Sequence, residues 1–146
     1  MKIYFACSIR GGRDDVDIYS ILVNQLKEYG TVLTEHISDK RLTSKGELDF
    51  PLDKNTIPTN EFVHDRDMSW VLESDIVVAE VSTPSLGVGY EIGRALENKK
   101  RVLCLYREQP DRVLSAMIAG NKNIQTFTYK DIEEAKQFLK EFFKKL

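Results

Sequence analysis

Asp75-Ile-Val-Val-Ala-Glu-Val-Ser-Thr-Pro-Ser-Leu-Gly-Val-Gly-Tyr-Glu-Ile-Gly-Arg94 is the stretch on which the fold turns. Its apolar run, Ile76 to Ala79 with Val81, predicts a strand covered on both faces, the habit of a parallel sheet. Pro84 and Gly87 break the run, while Ser82, Thr83 and Ser85 place hydroxyls at the strand's carboxyl end. A helix follows and carries Glu91 near its first turn. Open α/β sheets bind ligands in the crevice beyond the carboxyl ends of their strands. The question is what a carboxylate does beside a hydroxyl-rich turn.

Working outward, strands and helices alternate. Lys2 to Ser8 predicts a first strand, followed by the basic turn Ser8-Ile-Arg-Gly-Gly-Arg13. Asp14 or Asp15 can cap the next helix, whose Val16, Tyr19, Leu22, Val23, Leu26 and Tyr29 recur at helical spacing. Gly30 reads as its stop, and Thr31 to Glu35 as a short second strand. Residues 36–59 lack a period and contain Pro51 and Pro58, so they read as a lid or rim. Thr59 or Asn60 can cap a helix to about Ser74. Arg101 to Tyr106 and Ile124 to Tyr129 predict the last strands, with a short helix around Val113 to Ile118 between them. Asp131 with Glu134 opens a final helix striped by Ile132, Ala135, Phe138, Leu139 and Phe142. The expected architecture is a flavodoxin-like three-layer α/β sandwich around a five-stranded parallel sheet of order 2-1-3-4-5.

The totals narrow the function. At 146 residues, 42% hydrophobic and 30% charged, the chain reads as one globular domain, 1–146. A net charge of -2 argues against a binder of polymeric nucleic acid or of an anionic membrane. No apolar run approaches the roughly 18 residues of a membrane span, and an intracellular protein is expected. Cys7 and Cys104 fall inside predicted strands and read as buried thiols. With His36 and His64 as the only histidines, neither joining the cysteines in a cluster, metal catalysis is not expected.

Three groups carry chemistry. In the first turn, Gly11 and Gly12 let backbone N–H groups approach an anion, and Arg10 can pair with it through both guanidinium arms. Solvated arginines on a plain glycine turn are the simpler alternative. Glu91 shares a helix face with Gly87, Val88 and Ala95, which suits a nucleophile or acid/base, or else an ion pair with Arg94. Asp67 lies on an apolar stripe with Val63, Trp70 and Val71, and His64 is a candidate partner. Two inward carboxylates on separate helices suit cleavage of a glycosidic bond. Gly87-Val-Gly-Tyr-Glu-Ile-Gly93 has its last glycine one residue late for a dinucleotide fingerprint, and close helix packing is the expected reason for Gly89 and Gly93.

Taken together, Tyr4-Phe5, Ser8 to Arg13, Gly30 to His36, His64 to Trp70, Asp75 to Arg94 and Arg112 to Ile118 resemble the 2′-deoxynucleoside 5′-phosphate N-hydrolases of the nucleoside 2-deoxyribosyltransferase superfamily. The likeness covers nearly the whole chain. It implies hydrolysis of deoxynucleoside monophosphates to free base and 2-deoxyribose 5-phosphate by a homodimer without a cofactor. It makes Glu91 the nucleophile of a glycosyl-enzyme intermediate, Asp67 its positioning and proton-handling partner, and Tyr4 a neighbour of the sugar. Ser8, Arg10, Gly11 and Ser85 would hold the 5′-phosphate with Gly87 at the edge, while Ile9 and His36 would border the base. Ser115 and Met117 would complete the partner's site. A cytoplasmic location is implied, with the nucleus also open. Cys7 stands where the family often has glycine, and residues 36–59 match poorly. Tyr4 favours deoxyribose over the ribose of CMP-cleaving relatives. A deoxyribosyltransferase and a non-catalytic nucleotide-binding module are the competing readings.

Overall fold

The computed structural model describes residues 1–12, 14–39 and 58–146. Most of the stretch read as a lid or rim, 40–57, therefore lies outside the described residues, as does Arg13. Five strands, β1 (Lys2–Ala6), β2 (Thr31–Val32), β3 (Ile76–Glu80), β4 (Arg101–Arg107) and β5 (Ile124–Tyr129), form one sheet. All pairings are parallel and the order is β2-β1-β3-β4-β5, as expected from the alternation of elements. The helices are α1 (Val16–Leu26), α2 (Asn60–Glu73), α3 (Leu86–Glu97), the short α4 (Ala116–Ala119) and α5 (Ile132–Lys144).

Side chains alternate across a strand, and this divides the interior in two. Ile3 and Phe5 of β1, and Ile76 and Val78 of β3, meet Tyr19, Leu22 and Leu26 of α1 and Leu139 of α5. Tyr4 and Ala6, with Val77 and Ala79, face Val71 of α2 and Val88, Ile92 and Ala95 of α3. Every residue of β3 is buried, which is what its near-continuous apolar run requires. Tyr4 is thereby aimed into the layer that holds the Glu91 helix.

Three local expectations change. β2 is two residues long because Thr34 replaces the ladder with its side chain. Its hydroxyl accepts from the Phe5 N–H at 2.9 Å and donates to the Phe5 carbonyl at 2.7 Å, after which the chain turns into a 3-10 helix, Glu35–Ser38. Asp15 sits at the N-cap position of α1, yet its side chain makes no capping bond and points elsewhere. Thr59 and Asp131 do cap, accepting from Phe62 and from Glu133 and Glu134 respectively. Gly89 and Gly93 are not explained by tight packing, since a Cβ at either would meet nothing within 4 Å.

Gly30 matters for a reason other than stopping a helix. α1 already ends at Leu26, and a Cβ on Gly30 would lie 2.2 Å from the Met1 carbonyl oxygen. The backbone leading into β2 crosses the start of β1 too closely for a side chain. Gly30→Ala is expected to destabilise the protein by about 1–3 kcal/mol, the usual cost of forced overpacking. Urea unfolding should show a lower midpoint with an unchanged slope; an unchanged midpoint would mean the strand ends separate freely.

Candidate active site

Parallel pairing of β1 with β3, in register from Ile3↔Ile76 to Ala6↔Ala79, delivers two turns side by side at the carboxyl edge of the sheet. One is 8–12 and the other 82–85. They touch: a Cβ on Gly11 would lie 2.6 Å from the Pro84 carbonyl oxygen and 2.7 Å from Ser8 Oγ. Gly12 has a φ of 131°, a conformation that favours glycine. Ser8 is fully buried, and its Oγ has no hydrogen-bond partner among the described residues. A buried, unpaired hydroxyl costs free energy, which marks Ser8 as a candidate site residue. Arg10 reaches across the crevice mouth, its Nη2 donating to Asn60 Oδ1 at the start of α2 (2.9 Å). Ser85 caps α3, its Oγ accepting from the Val88 N–H over a long 3.4 Å. A Cβ on Gly87 would meet Ser85 Oγ at an ordinary 3.8 Å, so no clash among the described residues demands glycine there.

One helical turn further on, Glu91 is partly buried and accepts a 2.9 Å hydrogen bond from the Tyr4 hydroxyl. Burial pushes the Glu91 carboxyl up to about 7, and the Asp67 charge adds to the rise while the Tyr4 bond opposes it. Burial, Glu91 and Asp67 together raise Tyr4 far above an ordinary phenol, so it stays a donor. The ion pair considered between Glu91 and Arg94 does not form; Arg94 pairs with Glu97 at 2.5 Å. A carboxylate with one donor and a raised affinity for protons suits nucleophilic or proton-transfer chemistry.

Asp67, on α2, is the second carboxylate close enough to raise both Tyr4 and Glu91. Its partner is Arg66 rather than His64. Arg66 Nε and Nη2 both reach Asp67 Oδ1 at 2.8 Å. The guanidinium also lies over Trp70 (4.8 Å to the ring centroid) and near Phe62 (5.9 Å). His64 turns outward, to Asp65 (2.9 Å) and to the Tyr90 hydroxyl (3.1 Å). His36 is exposed on the 3-10 helix and sets its ring edgewise to Trp70 at 5.7 Å. Ile9 is half-buried and packs against the α1–α5 side of the core. Arg66 was overlooked in the sequence, although its spacing four residues from both Phe62 and Trp70 marks a shared helix face.

Ser115 and Met117 stand on the other flank of α3. They line a groove of about 480 Å³ with Ser85, Leu86, Val88, Gly89 and Ile92. Leu86, Val113 and Met117 are 96%, 93% and 82% exposed. No group of three or more His, Cys, Asp or Glu among the described residues is placed to hold a metal ion. Among the described residues, no helix is long and apolar enough to cross a membrane.

The sheet and its two touching turns define an α/β protein with a half-buried carboxylate on the helix beside them. A model of the nucleoside 2-deoxyribosyltransferase family matches residues 3–136, and the chain belongs to that family. A 5-hydroxymethyl-dUMP N-hydrolase of Tetraodon nigroviridis is 48% identical, over 98% of this chain and 97% of its own. One of Danio rerio is 49% identical, over 100% of this chain and 98% of its own. Among solved structures, a Clostridium botulinum CMP N-glycosidase superposes with a TM-score of 0.69, covering 97% of this chain and 99% of that one. Its sequence identity is 18%, so that likeness speaks for the fold.

The Glu91 shift has a consequence for stability. A carboxyl that binds its proton more tightly when folded adds stability below its unfolded value, about 4.3, and that contribution is lost as pH rises through about 7. Glu91→Gln removes this titration. The variant should gain on the wild type between about pH 4.5 and 7 and then level off when chemical denaturation midpoints are compared. Parallel pH curves would mean that Glu91 titrates as an ordinary surface carboxylate.

Proposed function

We propose that the protein hydrolyses the N-glycosidic bond of 2′-deoxynucleoside 5′-monophosphates, releasing free base and 2-deoxyribose 5-phosphate. The observation that carries this reading is that the Tyr4-bonded Glu91 carboxylate rides on the helix following the 82–85 turn, and that this turn touches the one holding Ser8, whose hydroxyl has no partner among the described residues. The names of relatives at 48% and 49% identity support it.

The 5′-phosphate binds at the paired turns. Ser8 Oγ donates to it, the Gly11 and Gly12 backbone approaches it, Arg10 swings from Asn60 to pair with it, and Ser85 adds a hydroxyl. A 12-residue helix beginning just past Ser85 favours negative charge there. With the phosphate seated, the sugar lies over Tyr4 and Glu91. A Glu91 carboxylate oxygen attacks C1′ as the bond to the base nitrogen breaks, and the electron pair leaves with the base, which takes up a proton. The transition state has oxocarbenium character, which the neighbouring Asp67 and Glu91 carboxylates stabilise. Water then attacks C1′ of the glycosyl ester, loses a proton, and returns Glu91 as a carboxylate. Asp67, fixed by Arg66 through one oxygen, keeps the other for the sugar or for these protons. Tyr4 holds Glu91 in its attacking orientation.

The active assembly is a homodimer. Leu86, Val113 and Met117 are too exposed and too clustered to face water in a working enzyme, and Gly89 beside them leaves room for a partner. Ser115 and Met117 then reach the second copy's crevice near Ser85.

Release of base from a panel of deoxy- and ribonucleoside monophosphates, and from the matching nucleosides, tests the reaction. Base should appear from deoxynucleoside monophosphates. Release from no monophosphate would sink the hydrolase, preference for ribose would move it to CMP-type chemistry, and base exchange without net hydrolysis would make it a transferase. Glu91→Ala should cut turnover at least ~10³-fold, the scale seen when an essential nucleophile is removed. Mixed dimers of Glu91→Ala with Ser115→Ala protomers should regain activity; a verified heterodimer as inactive as its parents would argue that the sites are not shared.

A further inference from the structure

The face of the sheet opposite Glu91 holds a second cluster of ionisable groups that the reaction does not use. Asp15 is 7% exposed and sits just before α1. Its Oδ2 accepts from Thr83 Oγ1 at 3.1 Å, and its Oδ1 is paired with Arg107 Nη2 at 2.7 Å. The Arg107 backbone N–H donates to Ser82 Oγ at 2.7 Å. Ser82 in turn donates through its hydroxyl to Glu80, which is fully buried and also accepts from the Tyr129 hydroxyl at 3.0 Å. The chain of bonds joins the start of α1, the 82–85 turn and the last residues of β3, β4 and β5.

Such a cluster is costly to bury and would be replaced by apolar packing if filling space were its only use. Its placement gives it another. The two turns that carry Ser8, Gly11 and Ser85 come from different βα units, and among the described residues they are tied by the Gly11 contact with Pro84 and by the bond from Thr83 to Asp15, at the start of the helix that follows the first turn. Arg107 supplies the positive charge that offsets Asp15, so the tie does not set a bare carboxylate beneath an anion.

We propose that Asp15, Thr83 and Arg107 form a clamp that positions the two turns as one phosphate site. Asp15 and Thr83 are positioning residues, acting through the turns and touching no substrate. This deepens the phosphate assignment above and rests on it. A clamp governs how well phosphate is held and leaves the sugar chemistry at Glu91 alone.

The test uses the full-length protein and inorganic phosphate as probe, with binding followed by calorimetry. Asp15→Asn and Thr83→Val should each weaken phosphate binding by about tenfold, a moderate share of what a misplacement of about 1 Å can cost. KM for the deoxynucleoside monophosphate should rise by the same factor while kcat stays within about threefold. Thr83→Ser, which keeps the hydroxyl, should behave as wild type. Unchanged phosphate affinity in folded Thr83→Val overturns the clamp, as does a fall in kcat with KM and phosphate binding unmoved. Failure of both Asp15→Asn and Thr83→Val to fold overturns it too, leaving the cluster a purely structural element. Wild-type protein that binds no phosphate refutes the site itself. Phosphate binding without release of base would count against the hydrolase and leave the clamp to be judged on affinity alone.

Discussion

Parallel pairing of β1 with β3 is the constraint on which the rest depends. Because these neighbours run in the same direction and in register, both end at the same edge, and their following turns must meet. Gly11 makes the meeting possible, since any side chain there would strike the Pro84 carbonyl or the Ser8 hydroxyl. The same pleat that buries Phe5 on one face aims Tyr4 at the other, where the α3 helix brings Glu91 to meet it. Crevice, turns and carboxylate are thus consequences of one strand pairing.

Two buried carboxylates show how environment divides roles. Glu80 accepts from the Ser82 hydroxyl and N–H and from Tyr129, so its lone pairs are occupied even though burial raises its proton affinity. Glu91 is raised chiefly by burial too, but a single hydroxyl, that of Tyr4, holds it. The saturated carboxylate anchors a turn, while among the described residues the other has one hydrogen-bond donor for its two oxygens. Asp67 stands between these cases: Arg66 occupies one oxygen, while the Trp70 and Phe62 rings fix the guanidinium from the side. Charge is retained where a fixed cation offsets it.

Much of this architecture was legible in the residues. The unbroken apolar run before Pro84 identifies a central parallel strand because only a doubly covered strand tolerates it. Helical spacing located α1 and α5 for the same reason, that burial of one face leaves a period. Glu91 and Asp67 stood out as carboxylates on inward faces. Less was readable where side chains replace backbone pairing. Thr34 ends β2 early by bonding Phe5 through its hydroxyl, and nothing in its neighbours announces that choice. Glu80 inside an apolar strand was a signal in plain view, yet its partners come from residues as distant as Tyr129.

By itself the sequence determined the sheet order, the two turns, the candidate carboxylates and the family resemblance, because periodicity, turn chemistry and motif are local properties of a chain. The tertiary structure alone decided which partners those groups take: Tyr4 rather than Arg94 for Glu91, Arg66 rather than His64 for Asp67, Arg107 and Thr83 for Asp15. It also showed that Gly30 is demanded by the Met1 carbonyl and not by a helix end. These are contacts between groups up to 92 positions apart. No local pattern encodes them, since they arise only when parallel strands carry separate segments to one edge.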